Sequence, residues 1–389
     1  MRIIYVALCS SRYSGVEKKI IEQCIALKNL GVEIYALFVL DGIPDKSLSE
    51  ISRNNEFIKY VFPSYKVNKW IMRKWKMAVI DKNIRQLSND RTIVYLRYPG
   101  ADPHLCKLLE TNPKLIFVSE HQSAIVKGIM LKKGYFLRSV SEKLFGRLVR
   151  RKIDAFVGVT NEVVAYQRSF VQKRNIPTIT IPNGIIVSSV PLRTPPPFDG
   201  KNLDLLCVAQ VAKWHGLDRL IRGMAEYKGE VNVRLNVVGY GSEIPNLKKL
   251  ILSLKLDDSV LFHGFKTGKE LDEFFDKCHI AVGSLGLHRV GVSEGSILKV
   301  REYCARGIPF IYGVPDADFQ EGFPYVLRVP SNEEPVDIAQ VISFAGRICS
   351  DQRHPQFMRE YALINLDWSM KMKKLVEFMN EVFENKVRR

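Results

Sequence analysis

This 389-residue chain is short of several things, and each shortage excludes something. No apolar run reaches the roughly eighteen residues that a bilayer-spanning helix needs. The opening MRIIYVALCSSRYSG is apolar only briefly, so it is expected to be a first buried strand and not a secretion signal. The seven cysteines (Cys9, Cys24, Cys106, Cys207, Cys278, Cys304, Cys349) form no close pair, which argues against a disulfide framework and a zinc site. They read as reduced core thiols of a cytoplasmic protein. The histidines lack ligand spacing, so no metal and no cofactor is expected. Acidic residues are scarce in one half only. Residues 1–185 hold 31 Lys+Arg against 15 Asp+Glu, whereas the remainder holds 27 against 26. A basic half beside a balanced one points to an anionic partner: membrane, nucleic acid or anionic substrate. Nucleic acid is disfavoured because strands with stacking aromatics are missing.

What is present is a regular alternation. RIIYVAL, VEIYALFVL, TIVYLRY, KLIFVSE, AFVGVT and TITIPNG are short β-branched runs separated by helix-period stretches. Near-continuous apolar strands of this kind belong to parallel sheets covered on both faces. SSVPLRTPPPFDG, with four prolines and no period, reads as a linker over 188–200. The alternation then restarts with DLLCVAQ, VRLNVVG, VLFHGF, IAVGSL, FIYG and YVLRV. The expected architecture is α/β, with two Rossmann-like doubly wound domains, 1–187 and 201–367, facing an interdomain cleft. An amphipathic tail helix, 368–389, is expected to cross back onto the first domain.

The stretch VSEGSILKVREYCARGIPFIYG concentrates the candidate chemistry. It follows an apolar strand and has helix propensity up to Gly307, with Pro309 beyond. Ser296, Ile297 and Leu298 then lie near a helix N-terminus, where unpaired N–H groups and the helix dipole favour an anion such as a diphosphate. Lys299 adds a point charge. Glu302, one turn inside, can accept two hydrogen bonds from a vicinal diol such as a ribose, while Glu294 faces another part of the ligand. Two acids at this spacing on a solvated helix carry little meaning by themselves.

Here the chain resembles the retaining GT-B glycosyltransferases of family 4 type, whose pattern is a Glu, seven residues, a second Glu, small and apolar residues, then Gly-x-Pro. The resemblance implies a metal-independent enzyme that moves a sugar from a UDP- or GDP-sugar to a glycan or polyprenyl-linked acceptor. It implies Glu302 on the donor ribose, Glu294 on the donor sugar, and backbone at Ser296 to Leu298 on the diphosphate. This sequence departs from the family at Ser296-Ile297, where Phe-Gly is common. In LLCVAQVAKWHGLDRLI, Gln210 stands where the family has an Arg, and Lys213 and His215 precede Gly216. Lys213 is the expected phosphate cation, with His215 second. Gly239 and Gly241 match a Gly-x-Gly strand end, and Gly264 with Phe265 looks like the nucleobase segment. On the N-terminal side the resemblance implies that Gly15 lets phosphate or acceptor approach the first loop. It also implies that His121, in LIFVSEHQS beside Glu120, touches the donor sugar near the reacting carbon. Arg97 is a candidate for the acceptor site. The alternatives are a GT-B-like sugar-nucleotide epimerase and a non-catalytic GT-B binding or scaffold subunit.

Two basic stretches remain. KVNKWIMRKWKMAVIDKNIRQL places Ile71, Trp75 and Val79 at i, i+4 and i+8, with Trp70, Lys74 and other cations around them. That profile fits an interfacial helix on an anionic membrane. KGIMLKKGYFLRSVSEKLFGRLVRRK aligns Leu137, Val140, Leu144 and Leu148, and is expected to be a core helix with a basic outer face. Taken with the resemblance, these stretches imply an enzyme expected at the cytoplasmic face of a membrane, and the resemblance implies bacterial surface polysaccharide synthesis.

Overall fold

The apolar runs form strands that all pair in parallel. In the computed structural model, which describes residues 1–12, 14–64, 68–123, 136–171 and 175–388, two sheets are present. The first contains β1 (Arg2–Cys9), β2 (Glu33–Leu40), β3 (Ile58–Val61), β4 (Thr92–Arg97), β5 (Ile116–His121), β6 (Ala155–Gly158) and β7 (Thr178–Thr180). Its spatial order is β3-β2-β1-β4-β5-β6-β7. The second contains β8 (Asn202–Gln210), β9 (Asn232–Tyr240), β10 (Val260–Phe262), β11 (Ile280–Val282), β12 (Phe310–Tyr312) and β13 (Val326–Arg328), in the order β10-β9-β8-β11-β12-β13. Each order reverses beside its first strand, between β1 and β4 and between β8 and β11. Ligands in doubly wound sheets settle at such reversals, beyond the carboxyl ends of the strands.

The chain divides into two units, Met1–Pro182 with Trp368–Arg389, and Asn183–Asp367. In the first, the tail helix Trp368–Val387 packs against helix Gly15–Asn29. Trp368, Met372, Leu375, Met379 and Val382 are buried along one stripe, and the Trp368 indole donates to Glu22 at 3.0 Å. In the second, buried side chains cover both faces of the sheet: Leu205, Leu220, Val237 and Val341 belong to one layer, and Leu206, Val300, Tyr303 and Phe310 to the other. All seven cysteines are buried and unpaired.

The proline-rich stretch is not a free linker. The division falls earlier, at Pro182–Asn183, and the stretch is strapped onto the second unit. Its Arg193 is buried and donates to the carbonyls of Gly307 (3.0 Å), Cys278 (2.5 Å) and Phe275 (3.2 Å), with His354 at 2.8 Å. Prolines supply no N–H, but a buried arginine between them satisfies carbonyls that would otherwise be orphaned.

Candidate functional site

In the second unit, the β8 and β11 loops are laced together at the sheet reversal. Leu285 N–H donates to His215 O at 2.9 Å and Gly286 N–H to Trp214 O at 3.1 Å. Gly216, at φ +64°, permits this, since a Cβ there would lie 2.8 Å from Leu285 and Gly286 backbone. Arg289 braces the same loop from beside β11. It pairs with Asp218 at 2.7 and 2.8 Å and with Glu333 at 2.6 Å, and donates to Lys213 O at 2.9 Å. Nothing in the sequence pattern singled out Arg289.

Helix Leu298–Arg306 starts next to this loop. Its N-cap, Ile297, supplies no side-chain hydrogen bond, so the first N–H groups lack a cap. Lys299 sits in the opening turn with its ammonium wholly enclosed and without a hydrogen-bond partner. Burial lowers the Lys299 pKa below the ordinary lysine value. A buried amine facing no acceptor costs free energy unless an anion joins it. His215 is a different case from the cation expected of it. It is buried, accepts from Ala212 N–H through Nδ1 at 3.0 Å, and burial, followed by the charge of Lys299, pushes it down to about 3. It is a neutral imidazole at physiological pH. Lys213 is exposed on the same loop.

Glu302 is held by Arg306, whose Nε lies 2.8 Å from Oε1 and whose Nη1 also reaches Asp272. Glu294 is half-buried in the loop before the helix. The Ser296 hydroxyl is engaged, accepting from Asn183 N–H at 2.7 Å, while its carbonyl takes the Asn183 amide at 2.5 Å. Arg301, absent from the sequence-based candidates, anchors the helix. It is fully buried between Asp316 and Asp318 and donates to Asn183 O at 3.0 Å. Gly239 and Gly241 have a packing reason, because a Cβ at either would lie 2.0 Å from a carbonyl oxygen of the β8 strand or loop. Gly264 is left-handed and open, and its carbonyl accepts from Gly239 N–H at 2.7 Å. Beside it, Phe265 (69% exposed) and Tyr240 (57% exposed) form a T-shaped pair at 6.2 Å. In the sequence the two glycines around Tyr240 carry the motif, and Tyr240 itself gives no signal of its exposure.

In the first unit, adjacent residues at the end of β5 diverge, as strand alternation requires. His121 is buried against Tyr98 and Phe156, with Nε2 2.8 Å from Ser119 Oγ. Burial, with the charge of Arg150 second, holds it neutral, well below the usual histidine range. Glu120 turns into the unit instead of toward a ligand. Its carboxylate accepts from Tyr5 (2.5 Å), Lys19 (3.0 Å) and Gln23 (3.1 Å), with Arg97 at 3.6 Å. Despite the opposing effect of burial, these cations and donors bring it down to about 2. Gly15 opens helix Gly15–Asn29 behind its N-cap Ser14, and a Cβ there would meet nothing within 4 Å. Neither conformation nor packing demands that glycine.

In the two basic stretches the faces that are buried and exposed are the reverse of those expected. In helix Lys69–Leu87, Trp75 and Val79 pack against the core, leaving Ile71 and Lys74 exposed; the Trp70 side chain and Lys66 lie outside the described residues. In helix Phe136–Arg150, the leucine stripe expected in the core faces outward, with Leu137 68%, Leu144 65% and Leu148 47% exposed. The buried face carries Glu142 instead. It accepts from Tyr98 Oη and Ala101 N–H and pairs with Arg150 at 2.7 Å. Residues 127–135 of this stretch lie outside the described residues. No helix among those described is long and apolar enough to cross a membrane.

Comparison with solved structures decides the fold. A glycosyltransferase from Rickettsia africae superposes with a TM-score of 0.69 at 17% identity, covering 99% of both chains. The fold is GT-B. Sucrose-phosphate synthase from Thermosynechococcus elongatus (TM-score 0.69, 14% identity, 99% of both chains) shares it. So does Anabaena HepE in complex with UDP (0.67, 14%, 98% of this chain and 100% of that one). Residues 191–316 of this GT-B chain match the family model described as Glycosyl transferases group 1, a segment that includes Lys213, Glu294, Lys299 and Glu302. No curated protein matches.

Proposed function

We propose that this chain is a glycosyltransferase that moves a sugar, with retention, from a UDP- or GDP-sugar to a glycan or polyprenyl-linked acceptor. The observation that carries the reading is Lys299. Its enclosed, unpartnered ammonium stands at an uncapped helix start, inside the segment that matches the group 1 family. Departure of a diphosphate from an anomeric carbon leaves charge on phosphate oxygens. Lys299, the first N–H groups of the helix and Lys213 would offset that charge without a metal. Glu302, held by Arg306, suits the ribose, Glu294 the donor sugar, and the Tyr240–Phe265 pair a nucleobase face. Anabaena HepE, which shares the fold, is seen with UDP. His121, neutral and buried, suits positioning of the sugar. An epimerase would call for acid–base pairs in the first unit, whereas Glu120 there is committed to Lys19, Tyr5 and Gln23.

The same proposal places the enzyme peripherally on the cytoplasmic face of an anionic membrane, making surface polysaccharide. The support is the leucine stripe of helix Phe136–Arg150, set among Arg138, Lys143, Arg147 and Arg151. The test of the activity is transfer and hydrolysis from a panel of UDP- and GDP-sugars by the parent and by Glu302→Ala. Loss of turnover with one donor class is expected; equal turnover by both proteins would remove the site assignment.

A further inference from the structure

The carboxyl edge of the first sheet holds a cavity of about 380 Å³. It opens at the reversal between β1 and β4. Leu8 comes from β1, Arg97 and Tyr98 from the end of β4, His121 and Gln122 from the end of β5, and Arg138 from helix Phe136–Arg150. Buried polar atoms in folded proteins are nearly always hydrogen-bonded. Three around this cavity are not: Arg97 Nη1, His121 Nδ1 and Gln122 Nε2.

The chemistry of these atoms is fixed by what surrounds them. Lys19 donates to Gln122 Oε1 at 2.7 Å, and an ammonium only donates, so the unpartnered end of Gln122 is its NH₂ donor. Arg97 stays charged, and its Nη1 is 3.6 Å from Glu120, too far for a hydrogen bond. Glu120 is already supplied by Tyr5, Lys19 and Gln23. His121 can present an N–H at Nδ1 when the Ser119 hydroxyl donates to Nε2. The charges do not balance either. Among the described residues that line the cavity are two arginines, Arg97 and Arg138, and no carboxylate, and Glu120 behind them is shared with Lys19. A water would satisfy the orphaned atoms but not the excess charge, whereas an oxyanion does both.

We propose that this cavity is an oxyanion site for a phosphate group, and that the group belongs to the acceptor. That it belongs to an acceptor rests on the transferase reading above; that it binds phosphate does not. Two sources share this chemistry: a lipid-linked diphosphate and a soluble sugar phosphate.

The test is calorimetric titration of the full chain with inorganic phosphate, glucose 1-phosphate and farnesyl diphosphate, with and without UDP or GDP. Phosphate binding is expected to weaken at least tenfold in Arg97→Gln and severalfold in Gln122→Leu and Arg138→Gln. It is expected to be unchanged in Lys228→Met, an exposed lysine of the other unit. Tighter binding of the prenyl diphosphate identifies a lipid source, and tighter binding of the sugar phosphate a soluble one. Should Arg97→Gln fail to fold, the other two substitutions decide. No phosphate binding, or binding abolished by Lys299→Met and untouched by the first-unit substitutions, overturns the proposal. Phosphate binding that persists in the first unit without any nucleoside diphosphate binding would instead remove the donor reading alone.

Discussion

Lys299 and Lys213 are both candidate cations for the donor's phosphates, yet they differ in what water has already given them. Lys213 is exposed and solvated, so a phosphate gains little from it. Lys299 has lost its water without gaining a partner, and a charge-assisted bond to it contributes about 1.5–3 kcal/mol. Lys299→Met should therefore weaken nucleoside diphosphate binding about 10- to 100-fold, using that range, with Tm unchanged or raised. Lys213→Met should weaken it a few-fold at most. Calorimetry on the two proteins distinguishes them, and the reverse ranking would refute the argument. Arg301 belongs to the opposite category. Its removal strands Asp316 and Asp318 in the interior, so Arg301→Met should cost about 3–5 kcal/mol in urea unfolding.

At the scale of elements, helix Phe136–Arg150 shows what a pattern does and does not contain. The spacing of Leu137, Leu144 and Leu148 establishes that they share a face, but not whether anything covers it. The buried Glu142–Arg150 pair, which reverses the usual rule that charge lies outside, could not be read from periodicity. Leu144→Glu with Leu148→Glu should abolish pelleting with anionic liposomes while shifting Tm by no more than about 2–4 °C, because each surface change rarely exceeds ±0.5 kcal/mol. Trp75→Ala should lower Tm instead, since Trp75 packs on the core. Equal pelleting by the double substitution and the parent would discard the membrane role. The strands were far more legible, because runs such as EIYALFVL have no other fate than a doubly covered sheet. The exception is β3, four residues at the sheet edge, too short to stand out from its surroundings. The loop after β8 and the helix with two glutamates were legible as motifs. The burial of His215 and the inward turn of Glu120 were not, since each depends on which neighbours the fold brings to it.

For the whole molecule, charge and acid stability both follow the division into units. With the tail helix included, the first unit holds 37 Lys+Arg against 18 Asp+Glu and the second 21 against 23, so the first carries the entire excess. Each unit also encloses neutral histidine: His121 in the first, His215 and His354 in the second, the last two brought down to about 3 and about 4. The folded values lie below the ordinary 6.5, so the unfolded chain binds these protons first. Their contribution to stability is present above about pH 6.5 and is lost as pH falls through the folded values. Glu120 adds a further loss between about pH 4.5 and 2. Urea midpoints should be level near pH 7 and decline already by about pH 5.5; a midpoint unchanged down to about pH 5 would contradict the assignment of three buried neutral imidazoles.

The tail helix has a consequence for how the protein is made. Asn183–Asp367 is one uninterrupted run, so the second unit is complete before the ribosome reaches Trp368. The first unit begins emerging earlier but waits for residues translated after the whole second unit, because Trp368, Met372, Leu375 and Met379 close the face over helix Gly15–Asn29. During that interval the half that is synthesised first remains the one with its core uncovered. A stalled or prematurely ended message would release a chain whose second unit is whole and whose first is exposed to proteases and chaperones.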